Sequence, residues 1–438
     1  MALFCCLVLG PTALAQMGGF GGPSVMGRGG QAGRRGGLSV RLRGFVSANG
    51  FYDSGLTTLT REGVVGTGGA TGVETRWGGY GSKSFRRAAL GLDYQGDYRY
   101  YPNTNAYTGS SQNLSLTYGA QPFRRVHFDL SAVAGTTNRA FGGAAPGLGL
   151  GSSLGSNIGQ LAVPLTSFFD VRTNFLGGSG SVTLVHSSRL TTNISGNGFT
   201  VRRRNRLPGA NGVVGRADTS YRLSKRSSIG VDLSYYKFDY TNSFGDTNVI
   251  DPGLLYSMQL GRSFEFGLRV GVMRIESFGV KLVAFDPEIA ALLGVGQTSE
   301  IFYVRSYQAS GGAQVQRRFK RGSATGQFQV APNPGNGLLY ASRQMTLTMG
   351  GTWTASRRMS VNTAGGWTKL RSVTSLAGAY EQYFFGGGIS YKINRSMEFT
   401  TRVDRRIAQL QTGRRIGLNS TRFMAGISFA PGDVPLQW

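Results

Sequence analysis

Along residues 89–101, "ALGLDYQGDYRYY", apolar side chains occupy every second position. Leu90, Leu92, Tyr94, Tyr98 and Tyr100 share one parity, while Asp93, Gln95, Asp97 and Arg99 share the other. A helix would repeat every 3.6 residues, so a period of two predicts a strand with one greasy face and one wet face. The same alternation runs through "IGVDLSYY" (229–236), "FEFGLRVGV" (264–272), "MEFTTRVD" (397–404) and "TRFMAGISF" (421–429). Read by parity, the chain predicts strands over 38–52, 72–84, 86–101, 109–120, 126–136, 174–186, 190–203, 213–223, 228–241, 252–260, 264–276, 303–315, 322–331, 343–355, 358–370, 379–393, 397–408 and 418–429. Segment 72–84 is the weakest of these, because only Val73, Thr75 and Trp77 hold its outward parity.

Short polar turns such as "VHSSR" (185–189), "LSKRSS" (223–228), "ASRR" (355–358) and "INRS" (393–396) alternate with longer connections rich in Gly, Asn, Pro and Thr. That asymmetry predicts an up-and-down meander with two unlike rims, and an even strand number places both termini on the short-turn rim. A soluble sandwich also alternates, so the pattern must be weighed against lipid. The second face here carries charge inside strands of ten or more residues, longer than the five or six usual in soluble sheets. Aromatic residues gather toward strand ends (Tyr98, Tyr100, Tyr101, Tyr235, Tyr236, Tyr240, Trp353, Trp367, Tyr391), as interfacial girdles do. Only a closed barrel lets β-strands cross hydrocarbon with every backbone group paired.

The remaining sequence sharpens this picture. Residues 1–15 read as a signal peptide, with "FCCLVLGPTALAQ" supplying an apolar stretch and Ala13-Leu14-Ala15 a cleavage site before Gln16. Cys5 and Cys6 both fall inside it, so the mature chain has no cysteine for disulfide or thiol chemistry. Residues 16–37 read as a Gly-rich flexible periplasmic tail, 38–430 as the barrel and 431–438 as a C-terminal tail. No later run of about 18 apolar residues could form a transmembrane helix. Glycine is abundant, 69 of 438 residues, and the chain carries 47 basic against 21 acidic residues, a net +26.

The strand alternation, the short turns and the final strand "RFMAGISF" together resemble the outer-membrane β-barrel proteins of Gram-negative bacteria, particularly porin-like ones. The resemblance covers about residues 38–430 and implies an all-β transmembrane antiparallel up-and-down β-barrel of about 18 strands (16–18), with short periplasmic turns and long extracellular loops. It also implies the cell outer membrane as location, outer-membrane lipid and lipopolysaccharide as surroundings, and the barrel-assembly machinery as a partner during biogenesis. That machinery recognises a terminal aromatic, for which Phe429 and Trp438 both stand as candidates. A barrel of this size leaves an aqueous lumen. The inward-parity charges expected to line it are Asp93, Asp97, Arg99, Asp129, Arg216, Asp218, Arg222, Asp232, Glu265, Arg269, Glu398, Arg402, Asp404 and Arg422.

Two long connections bear on whether that lumen is open. Residues 141–170 are glycine-rich and apolar, expected to fold inward, and "FDPEIAALLGVG" (285–296) carries a helix signature with Asp286 as N-cap and Glu288 in the first turn. Asp286 and Glu288 are therefore constriction-loop candidates; a helix lying over the outer rim is the other reading. Nucleic-acid binding is not expected, since the basic surplus lies at rims such as "RRRNR" (202–206), where lipid phosphates pair with it. Catalysis is not expected either. His127 and Asp129 share a parity, but H-x-D beside a short turn is a weak signal for a base and its orienting acid, and His186 stands apart. No metal and no cofactor are expected. Two functions remain: a passive channel for small hydrophilic solutes, anion-preferring by its net charge, or a non-conducting structural or surface-binding barrel plugged by its loops.

Overall fold

The computed structural model describes residues 40–60, 63–102, 108–137, 172–204, 209–241, 244–261, 263–284, 297–334, 342–373, 379–412, 414–431 and 434–436. The strands are β1 Val40–Asp53, β2 Leu56–Thr60, β3 Gly63–Thr67, β4 Ala70–Ser84, β5 Ala88–Tyr100, β6 Gly109–Phe123, β7 Val126–Thr137, β8 Thr173–Val185, β9 Leu190–Arg203, β10 Gly209–Arg222 and β11 Ser227–Thr241. They continue as β12 Gly245–Leu260, β13 Phe264–Ala284, β14 Gln297–Phe319, β15 Gly322–Asn333, β16 Ser342–Thr354, β17 Met359–Ser372, β18 Ala379–Lys392, β19 Met397–Thr412, β20 Arg414–Phe429 and β21 Val434–Leu436.

β1 and β4–β20 form one antiparallel meander of eighteen strands, each bonded to the next in sequence. β1 pairs with β4 on one side and with β20 on the other, from Val46↔Phe429 to Asp53↔Arg422, and this closes the hoop. β21 continues the seam, pairing Val40↔Leu436 through Leu42↔Val434. The eighteen expected strands are all present, including the weak one, which runs from Ala70 to Ser84 with Val73 and Thr75 exposed. β2 and β3, a separate hairpin between β1 and β4, were not expected.

The short turns repeat one local device. Ser187, Ser224 and Ser356 Oγ each accept hydrogen bonds from the backbone N–H groups two and three residues on, and Asn394 Oδ1 does the same. A short polar side chain that satisfies two turn donors is what lets four or five residues reverse a strand. All such turns lie on the rim that carries Val40 and Phe429. On the opposite rim the connections are less uniform than expected. β19 ends at Thr412 and β20 begins at Arg414, so Arg405, Arg406, Arg414 and Arg415 all belong to strands.

Outside, the hoop is apolar. Val213, Leu254 and Val270 are each about 60% exposed, beside Leu92, Leu130, Leu176, Val231 and Leu233. A water-soluble protein does not expose a continuous apolar belt around its girth; hydrocarbon accepts it. On β13 the outward residues Leu268, Val270 and Val272 give way to Arg274 and Glu276, and Arg305 of β14 binds Glu276 at 2.7 Å. Phe264 to Met273 is ten residues, and a tilted strand needs about 9–11 to cross the bilayer. The outer half of the β13–β14 hairpin therefore stands clear of the hydrocarbon. Both strands outrun their expected ends at 276 and 303.

Two glycines show how the wall accommodates its own side chains. A Cβ on Gly253 would lie 2.7 Å from Asp232 Oδ1 and 2.9 Å from Arg269 Nη2, so glycine leaves room for that ion pair. Gly311 sits at φ +145° with Arg269 O only 2.4 Å from a Cβ position. There the β14–β15 ladder begins, and above it β14 has β13 alone as its partner among the described residues.

Candidate functional site: the barrel lumen

Ladder pairing brings ten of the fourteen expected charges into three groups. The first sits at the seam. Glu74, fully buried, takes Arg99 Nε at 2.6 Å, Arg76 Nη2 at 2.5 Å and Arg422 Nη2 at 3.5 Å. Arg422 Nε also reaches Asp53 at 3.6 Å, and Tyr101 donates its hydroxyl to the other Asp53 oxygen at 2.5 Å. Arg422 lies over the Phe51 ring at 4.5 Å, so the guanidinium is packed as well as paired. Asp97 adds a longer contact to Arg99 at 3.5 Å.

The second group occupies β10–β14, on the wall opposite the seam in strand order. Arg269 Nε meets both Asp232 oxygens at 3.0 Å, its Nη1 reaches Asp251 at 3.1 Å and Ser310 Oγ at 3.2 Å, and Ser310 donates to Asp251 at 2.5 Å. One planar guanidinium thus joins four adjacent strands, which suits its forked donor geometry. Arg216 bridges Asp218 and Asp232, each at 3.6 Å, and Asn193 donates to Asp218. The third group is smaller. Arg402 pairs with Asp404 at 2.6 Å on β19, with Glu398 fully buried below them.

Asp93, Asp129, Arg222 and Glu265 stand outside these groups. Gln95 donates to Asp93, and Glu265 meets Arg318 at 3.4 Å near the short-turn rim. Asp286 and Glu288 lie outside the described residues. His186 bonds to Thr192 at 3.1 Å.

Parity reading missed Asp53, Glu74, Arg76 and Asp251. Asp53 and Asp251 fell just beyond the expected strand ends, and Glu74 and Arg76 lie in the weakest strand; inward parity was the available signal.

The larger surprise is apolar. Val133, Phe175, Phe199, Val201, Ala210, Phe238 and Tyr240 form a buried cluster on the inward face of β7–β11, toward the long-loop rim. A second cluster joins Val249, Met273, Ile275 and Val330. Tyr236 and Val373 pack against both. Val373 follows β17, across the hoop from β8, so the chain from one wall touches the other. Tyr236 and Tyr240, expected in an interfacial girdle, are part of this interior, and Tyr101 is turned inward to Asp53. An aromatic at a strand end counts toward the girdle only if its parity is outward, as for Tyr98, Tyr100, Tyr235 and Tyr391.

No protein-family model matches this chain, and no curated protein does. Among solved structures it is similar in chain path to Pseudomonas aeruginosa OccK2 (OpdF) in complex with glucuronate, at 10% identity and TM-score 0.41 over 89% of this chain and 98% of that one. Pseudomonas aeruginosa OpdQ gives 9% identity and TM-score 0.42 over 91% and 98%. The ferric-catecholate import receptor Fiu from E. coli K12, open form, gives 8% and 0.44 over 90% and 82%. The closed ladder and the outward apolar belt, rather than these likenesses, place the chain among transmembrane β-barrels of the outer-membrane type, porin-like in strand number.

Proposed function

We propose that the protein is an outer-membrane channel for passive diffusion of small hydrophilic solutes. The observation that carries this reading is the closed eighteen-strand hoop with charge ladders on opposing inner walls, since barrels of about 16–18 strands enclose an aqueous path. Within the described lumen, carboxylates and guanidiniums are matched, so the wall itself is close to neutral. An anion preference therefore rests on the basic surplus at the rims, which raises local anion concentration without fixing any ion in the bore. No catalytic role is assigned to His127, Asp129 or any other side chain.

The contact of Val373 with the far wall favours a second reading, in which the bore is held shut near the long-loop rim. Single-channel recording of the purified, refolded protein in a planar bilayer under a salt gradient separates the two. Steady steps with a weakly anion-selective reversal potential support the diffusion channel. A silent wild type whose Val373→Asp variant conducts supports the shut bore, and cation selectivity would overturn the anion preference while keeping the channel.

A further inference from the structure

We infer that the upper half of β14, Ile301–Ser310, is a docking edge for an extended segment of another protein outside the cell, which joins the sheet as one more strand. The inference rests on the orientation of the barrel, with the long-loop rim outside, and not on whether the bore conducts.

The sheet divides at Gly311. Below it β14 is bonded to both β13 and β15; above it β14 follows β13 as far as Ala284↔Gln297, with no second partner among the described residues. β15 does run on past Val330, but its last residues pair with β16, from Ala331↔Gln344 to Asn333↔Ser342. Pro332, which an unbroken register would set opposite Ala309, has no N–H to give to a ladder. The open side of β14 thus presents a row of backbone donors and acceptors. Only another extended backbone pairs such a row at its own spacing.

Natural edges of this kind carry a guard, most often a lysine, a proline or a bulge within the strand. "IFYVRSYQAS" (301–310) has no lysine, proline or glycine, and five of its ten residues are β-branched or aromatic. Its one charge, Arg305, is held by Glu276 at 2.7 Å and donates to Tyr303 at 3.2 Å. On the outward face Ile301, Tyr303 and Tyr307 are 65%, 58% and 67% exposed, so nothing in this chain lies over them. Tyr307 pairs with Arg274 where the apolar belt ends, and Tyr303 stands four residues further out, about 13 Å at 3.3 Å per residue. Exposed aromatics at that height face water, and an added strand covers them. Charge selects the guest. Arg274 and Arg305 share the carboxylate of Glu276, so the partner strand is apolar or aromatic at alternate positions and brings a carboxylate opposite Arg305.

The test uses the refolded barrel in mild detergent and a fluorescein-labelled peptide, GVMRIESFGVKLVA. This is the sequence of residues 271–284, which β14 already accepts on its other side and which brings Glu276 to Arg305. At saturating peptide, hydrogen–deuterium exchange of amides 301–310 should slow at least tenfold, while 312–319 stay as they were. Tyr303→Lys/Tyr307→Lys alters only exposed side chains and supplies the guard that this edge lacks. It should weaken binding at least tenfold by fluorescence anisotropy. Arg305→Glu should lose the wild-type peptide and accept one carrying Glu276→Arg, an exchange of charge that a damaged fold would not reproduce. Equal binding of a scrambled peptide, or a lysine variant that binds as wild type does, would overturn the proposal. So would peptide-induced fast exchange of residues 274–284, which means that β13 has been displaced rather than the sheet extended. Protection of 301–310 in the free barrel equal to that of 312–319 also overturns it, since a segment of this chain then already holds the edge.

Discussion

Glu74 has no exposed surface and three guanidiniums around it. Removing one member of a buried ionic group costs more than the group contributes as a whole, because the partners stay buried and uncompensated. Glu74→Gln keeps the shape and removes the charge. It should lower the unfolding free energy in urea by about 3–5 kcal/mol, with a parallel drop in the temperature at which the folded band disappears on unheated gels. Gly253→Ala is a second residue-scale probe. Its methyl group would meet the Asp232–Arg269 pair at 2.7 and 2.9 Å, so a loss of about 1–3 kcal/mol is expected, whereas Gly215→Ala, with open space at its Cβ, should be neutral. These residues also mark where sequence was silent. Asp232 and Arg269 are legible as inward charges, but nothing in the spacing says that one guanidinium would span four strands.

The strands were the most legible feature, because a face that meets lipid must be apolar at every second residue. What alternation cannot convey is depth. Phe175, Phe199 and Phe238 share the inward parity with Asp129, Asp232 and Ser234, and a reading that equates inward with wet assigns them no place. The β13–β14 hairpin illustrates the reverse error, since its strands continue past the polar outward residues Arg274, Glu276 and Arg305. Above Gly311, β14 has β13 as its sole described partner, so half of its backbone groups there lack a ladder bond among the described residues. Amide hydrogens of residues 297–310 should exchange faster than those of 312–319, measured by hydrogen–deuterium exchange with mass spectrometry. Uniform protection along β14 would mean that another segment covers this edge.

For the molecule as a whole, the arrangement separates three environments by parity and height: an apolar belt outside, matched charges within, and an apolar interior zone near the long-loop rim. Among the described residues the basic surplus lies at rims and on the outer surface more than within the bore, so raising ionic strength should reduce selectivity strongly while leaving the unit conductance proportional to salt. If selectivity persists at high salt, a charge in the bore rather than at the rims sets it.

The seam has a temporal meaning. Asp53 meets Arg422, residues that lie almost the whole chain apart, and β21 adds its few pairs still later. Until the last strand arrives the sheet is an open ribbon, with β1 offering one bare edge and the growing end another, both prone to pair with the wrong neighbour. A hoop whose first and last strands lock each other cannot be finished from either end or in stages. Its closure is the meeting of β1 with β20, a pairing between the two ends of the chain.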